Sequence, residues 1–159
     1  MTLTQQFQQS LARLTHFSTG EQPLEVDDGP LRLRCRLVAL DSLACAFTRL
    51  ALSADALAAR PTAGLKETAE RLSGRLTYLL EPISPIETDA QGCVVQMRSS
   101  PPHKETDRTS YYELLVSRSG ELSLCRYTRT VGQPREIIPA QVTREVLARL
   151  VADFAAVVA

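Results

Sequence analysis

The sequence has no tryptophan, and its aromatic content is only 5%. Sugars and single-stranded nucleic acids are commonly gripped by exposed rings, so stacking platforms of that kind are not expected. Net charge is missing as well, because 18 Lys and Arg cancel 18 Asp and Glu. With no overall field to draw DNA, RNA or an anionic bilayer, neither a nucleic-acid nor a membrane partner is expected. Histidine is scarce: His16 and His103 stand alone, with no second histidine or cysteine at ligand spacing. There is no Gly-x-Ser-x-Gly and no phosphate-cradling glycine loop. Cys35, Cys45, Cys93 and Cys125 occur singly and without a Cys-x-x-Cys, so they read as small buried hydrophobes. No metal and no cofactor are expected. The start, Met1 to Gln9, lacks the basic lead and apolar run of a signal peptide, and no apolar run could span a bilayer, so the expected location is cytoplasmic.

What is present is a chain of 159 residues, 44% hydrophobic, enough for one domain over 1–159 with its own core. Leu3, Phe7, Leu11 and Leu14 recur at helical spacing and predict a helix over about 3–17. A short strand at 24–26 meets the turn Asp27-Asp28-Gly29-Pro30, and Leu31, Leu33, Cys35 and Leu37 then alternate with Arg32, Arg34 and Arg36. After a turn at 40–42, a strand is expected over 43–52, followed by a connector over 53–64. Leu65, Ala69, Leu72, Leu76, Leu79 and Leu80 form the stripe of a second helix stopped by Pro82, with Gly74 inside it to admit a close neighbour. A hairpin is read over 83–98, turning at 89–92, with its first strand pushed to an edge by Pro82 and Pro85. A polar loop covers 99–109.

The strongest local pattern is Tyr111 to Tyr127. If Gly120 closes a three-residue loop, Val116 faces Leu122, Leu114 faces Leu124 and Tyr112 faces Arg126, which gathers one apolar face. Glu113, Ser117, Glu121 and Ser123 fall on the other. After a break at 131–135 and a short extended piece at 136–139, Thr143 is placed to cap a last helix. Val146, Leu147, Leu150, Val151, Phe154, Val157 and Val158 wrap most of that helix, which predicts burial on more than one side. The fold class is therefore α+β: an antiparallel sheet of about six or seven strands with N-terminal, central and C-terminal helices against it.

Two clusters are candidate sites. His103, Lys104, Glu105, Asp107 and Arg108 share the polar loop and could serve a small enzyme if acids or a cysteine converge on His103. Arg32, Arg34 and Arg36 project from one strand face and could meet an acidic partner, with pairing to local acids as the plainer account. Leu150, Phe154 and Val158 could serve an interface or line a cavity.

In element order the chain resembles the small dimeric chaperones of type III secretion, which run helix, three strands, helix, further strands, final helix. It differs from them in its additional strands and balanced charge. The resemblance implies a non-enzymatic homodimer that binds a protein partner. The leading expectation is thus a protein-protein interaction module, chaperone-like and homodimeric. Its alternatives are a small-molecule binder with an apolar cavity between the last helix and the sheet, and thirdly the enzyme using the His103 loop.

Overall fold

The computed structural model describes residues 1–89 and 94–159. Its elements are α1 (Leu3–Ala12), β1 (Gln22–Asp28), β2 (Leu31–Leu40), β3 (Ala44–Ala54), α2 (Asp55–Ala58), α3 (Thr62–Arg75), β4 (Ile83–Asp89), β5 (Val94–Ser99), β6 (His103–Lys104), β7 (Arg108–Ser117), β8 (Glu121–Thr130), β9 (Glu136–Ile138), β10 (Ala140–Thr143) and α4 (Arg144–Val158). The fold is α+β as expected, with helices packed on an open antiparallel sheet. The main path of the sheet runs β1-β2-β3-β8-β7-β5-β4, and β4 takes the edge that Pro85, and Pro82 just before it, favour. The turn read at 89–92, and Cys93 with it, lie largely outside the described residues.

The central hairpin has the register that its alternation dictates. Tyr112 pairs with Arg126, Leu114 with Leu124, Val116 with Leu122 and Ser117 with Glu121, leaving Arg118-Ser119-Gly120 as the loop with Gly120 at φ 93°. Leu114, Val116, Leu122 and Leu124 are fully buried. The helices cover that same face, since Phe7, Leu65, Leu72, Leu147 and Phe154 join one core with these residues.

The first two helices end earlier than their periodicity suggests. Thr2 and Gln5 close a capping box that starts α1, but the helix stops at Ala12 rather than near Phe17. The backbone of Phe17 is committed elsewhere, exchanging hydrogen bonds of 3.0 and 2.8 Å with Leu40. The helix expected before Pro82 is α3, which already begins at Thr62, inside the expected connector, and ends at Arg75. Its chain must double back to enter β4, and a non-helical link continues the buried stripe through Leu76 and Leu79. Leu80, expected on that stripe, sits instead at φ 66° and 97% exposed.

Gly74 has no close neighbour, for nothing lies within 4 Å of where a Cβ would stand. Gly74→Ala is therefore expected to raise stability by about 0.5–1 kcal/mol through helix propensity, read as a higher urea midpoint at unchanged slope.

A bulge switches which residues of β3 face the core. Arg36 pairs with Arg49 and Leu37 with Phe47, so Thr48 is skipped and the buried set shifts from Cys45 and Phe47 to Leu50 and Leu52. Arg49 thereby leaves the core face.

Beyond this bulge β3 and β8 separate. Leu50 with Leu124 is their last pair toward the fork; from there β9 runs along β8, with Ile138 opposite Arg126, while β10 runs back along β3, with Ala140 opposite Phe47. Pro139 turns the chain at the crotch of this fork.

α4 starts on the Thr143 side chain, whose Oγ1 accepts from the Val146 N–H at 3.0 Å. It then packs against α1, α3, β3 and β10. Leu150, Phe154 and Val158, expected at a partner interface or cavity wall, are enclosed in this chain's own core. The apolar circumference of α4 is met within one chain. Among the described residues no helix is long and apolar enough to cross a membrane.

Candidate functional site

The face of the sheet away from the helices carries the polar side chains. Strand registers place Arg34, Ala51, Ser123, Leu115 and Gln96 in one row across β2, β3, β8, β7 and β5. One step toward the fork, Arg36 pairs with Arg49, and Glu113 of β7 lies between Cys125 and Arg98. A further step places Tyr111 opposite Tyr127. Ala51, Ser123, Cys125, Glu113 and Tyr111 are buried here, and Arg34, Arg36 and Arg129 around them are exposed.

Arg32, Arg34 and Arg36 do share this face, and each is within ion-pair distance of a carboxylate: Asp55 at 3.4 Å, Glu25 at 3.8 Å and Glu21 at 3.0 Å. These are solvated pairs, weak and readily exchanged. Arg49 pairs with Glu121 in the same manner, half-buried.

The other end of the face is organised differently. Glu113 is only 4% exposed, yet it accepts from Gln96 Nε2 at 2.7 Å and Arg135 Nη1 at 2.7 Å, with Arg98 Nη2 at 3.5 Å. Arg135 reaches it from the segment between β8 and β9. Both guanidiniums also lie over rings, Arg135 at 3.9 Å from the Tyr127 centroid and Arg98 at 4.5 Å from that of Tyr111. Burial alone pushes the Glu113 carboxyl up, but the hydrogen bonds from Arg135 and Gln96 and the charges of Arg135 and Arg98 prevail and hold it below its ordinary range. The hydrogen bond to Glu113 in turn holds Arg135 firmly charged.

Gln96, Arg98, Tyr111, Arg129, Pro134 and Arg135 line an open cleft of about 400 Å³ beside this carboxylate. Arg129 has no carboxylate at ion-pair distance among the described residues. Three guanidiniums against one carboxylate leave an excess of two positive charges. The arrangement is suited to holding anionic groups by charge-assisted hydrogen bonds.

The His103 loop is placed otherwise. His103 and Lys104 form β6 against Ser110 and Thr109 of β7, and Glu105 is shared between Arg108 at 2.8 Å and His103 at 3.6 Å. The Arg108 hydrogen bond holds the Glu105 carboxyl low. His103, Lys104, Glu105, Asp107 and Arg108 are all exposed, and the ion pairs among them join members of the same turn. Burial raises all three described cysteine thiols, Cys45 to about 11, which keeps them protonated and poorly nucleophilic near neutrality.

Sequence reasoning placed Glu113 on this face but overlooked its charge, and it missed Arg98, Arg129, Arg135 and Gln96. The available signal was a carboxylate within the otherwise apolar stretch Tyr111 to Val116, which demands a partner. Compared with known proteins, the chain matches no family model, no curated protein and no solved structure.

Proposed function

We propose that this chain is a non-enzymatic protein-binding module, chaperone-like in that it holds an extended acidic segment of another protein on the helix-free face of its sheet. The observation that carries this reading is the band Arg34, Ala51, Ser123, Leu115 and Gln96, paired without a break across β2, β3, β8, β7 and β5, with Arg36, Arg49 and Arg98 flanking it on the same face. Five adjacent strands about 4.8 Å apart make that band about 19 Å long, the length of roughly six extended residues. Carboxylates arriving on such a segment would exchange with the solvated acids now paired to Arg36 and Arg49 at little cost. Because α4 is covered by its own chain, the binding needs no second copy. Leu150, Phe154 and Val158 pack into the core where the small-molecule alternative requires a cavity.

Fluorescence anisotropy with a labelled Asp/Glu-rich peptide tests this on the full chain. The acidic peptide is expected to bind, to weaken as salt rises, and to bind about tenfold less well to Arg49→Gln. Equal binding of the matched Asn/Gln peptide, or no effect of Arg49→Gln, overturns the proposal.

A further inference from the structure

We infer that the cleft lined by Gln96, Arg98, Tyr111, Arg129, Pro134 and Arg135 is an anchor for a phosphorylated side chain on the bound segment. The inference rests on the protein-binding reading above and specifies what one end of the face selects.

Charge is the first reason. A carboxylate would balance one of the two excess positive charges, whereas a phosphomonoester near neutral pH carries close to two negative charges and three acceptor oxygens. Geometry is the second. Arg98, Arg129 and Arg135 approach from β5, β8 and the segment leading into β9, so donors surround the cleft instead of forming a single fork. Two of these guanidiniums are held in advance, on the Tyr111 and Tyr127 rings and by Glu113, which limits the side-chain entropy lost on binding.

Unused donors are the third. The Glu113 contact of Arg98 is long at 3.5 Å, which leaves its Nη2 only weakly committed. Arg129 is exposed and has no carboxylate partner among the described residues. The Tyr111 hydroxyl accepts from Arg135 at 3.4 Å, so its own proton is available to an anion. Glu113 is not itself in the lining; it orients three residues that are, accepting from Gln96, Arg98 and Arg135. It is a positioning residue.

The test uses the full chain and three peptides of one acidic sequence, carrying a central phosphoserine, serine or glutamate, with inorganic phosphate as a fourth probe. The phosphoserine peptide is expected to bind about tenfold more tightly than the serine peptide and more tightly than the glutamate peptide. Its advantage should shrink as pH falls below about 6, where the phosphate gains its second proton. Arg129→Gln, a substitution at an exposed position, should remove most of the advantage, weakening the phosphoserine peptide far more than the serine peptide. Inorganic phosphate should compete with the phosphoserine peptide alone.

Equal affinity for the phosphoserine and serine peptides overturns the phosphate inference and leaves the acidic-segment reading standing. Failure of all three peptides to bind removes both. Preference for phosphoserine that persists in Arg129→Gln and is insensitive to inorganic phosphate overturns the assignment to this cleft.

Discussion

Gly120→Val is expected to destabilise the protein by about 4 kcal/mol. The residue has φ 93°, a conformation that costs a β-branched side chain dearly. Space is lacking too: a Cβ there would stand 2.9 Å from the Ala54 carbonyl oxygen and 2.9 Å from Ala58 Cβ. The carbonyl cannot move away freely, because the Ala54 N–H donates to the Gly120 oxygen at 2.8 Å and fixes the hairpin tip on the end of β3. Conformational strain and overpacking each contribute, and neither is relieved by a rotamer change. Urea unfolding followed by circular dichroism measures the loss. Ala58→Gly in the Gly120→Val background should recover only part of it, since the carbonyl contact remains. A Gly120→Val chain within about 1 kcal/mol of wild type would show that the tip is not docked as described.

Glu113→Ala is expected to cost about 2 kcal/mol at neutral pH. Removing one partner of a buried ion pair typically costs about 3–5 kcal/mol, because the remaining charge is stranded. Arg98 and Arg135 are 37% and 40% exposed, so water takes up part of that burden and the figure is reduced accordingly. The pH dependence has a definite sign. A carboxyl held below its ordinary range in the folded state stabilises above the unfolded value of about pH 4 and loses that contribution as pH falls through the lower folded value. The gap between wild type and Glu113→Ala should thus be full at pH 7 and close toward pH 2. A gap that is constant with pH would mean that Glu113 acts through packing alone.

The parts of the fold that could be read from residues are those fixed by neighbours in sequence. The central hairpin register followed from Gly120 and from the alternation of Leu114, Val116, Leu122 and Leu124, both local properties. The Thr143 cap was legible for the same reason. The ends of α1 and α3 were not, since Phe17 is drawn out of helical geometry by Leu40 and the link after Arg75 is shaped by the return to β4. Likewise, the β3 face changes at a bulge whose cause lies in its pairing with β2.

The candidate site was legible only in outline. Hairpin register puts Glu113 opposite Cys125 on the face away from the core, yet its partners come from β5 and from the approach to β9. No spacing rule links Arg98 and Arg135 to Glu113, because strand order and the path of a loop bring them together. The row Arg32, Arg34 and Arg36 was visible because it lies within one strand. Its period marks an accessible face, and the arginines that converge on Glu113 lie elsewhere on that face.

The fork at Pro139 also has a consequence in time. Before residues 136–143 are in place, β3 and β8 are joined by four register pairs, from Leu50 with Leu124 to Ser53 with Glu121, with the Ala54 to Gly120 hydrogen bond beyond them. The N-terminal strands and the β4–β8 strands can each form from comparatively local contacts, but their lasting union is expected to need a segment distant from β3 in sequence. That segment leads directly out of Arg135 and directly into α4. Closure of the sheet, positioning of the arginine and seating of the last helix are therefore expected as late steps of one folding event, with the arginine-bearing face complete only when the core is.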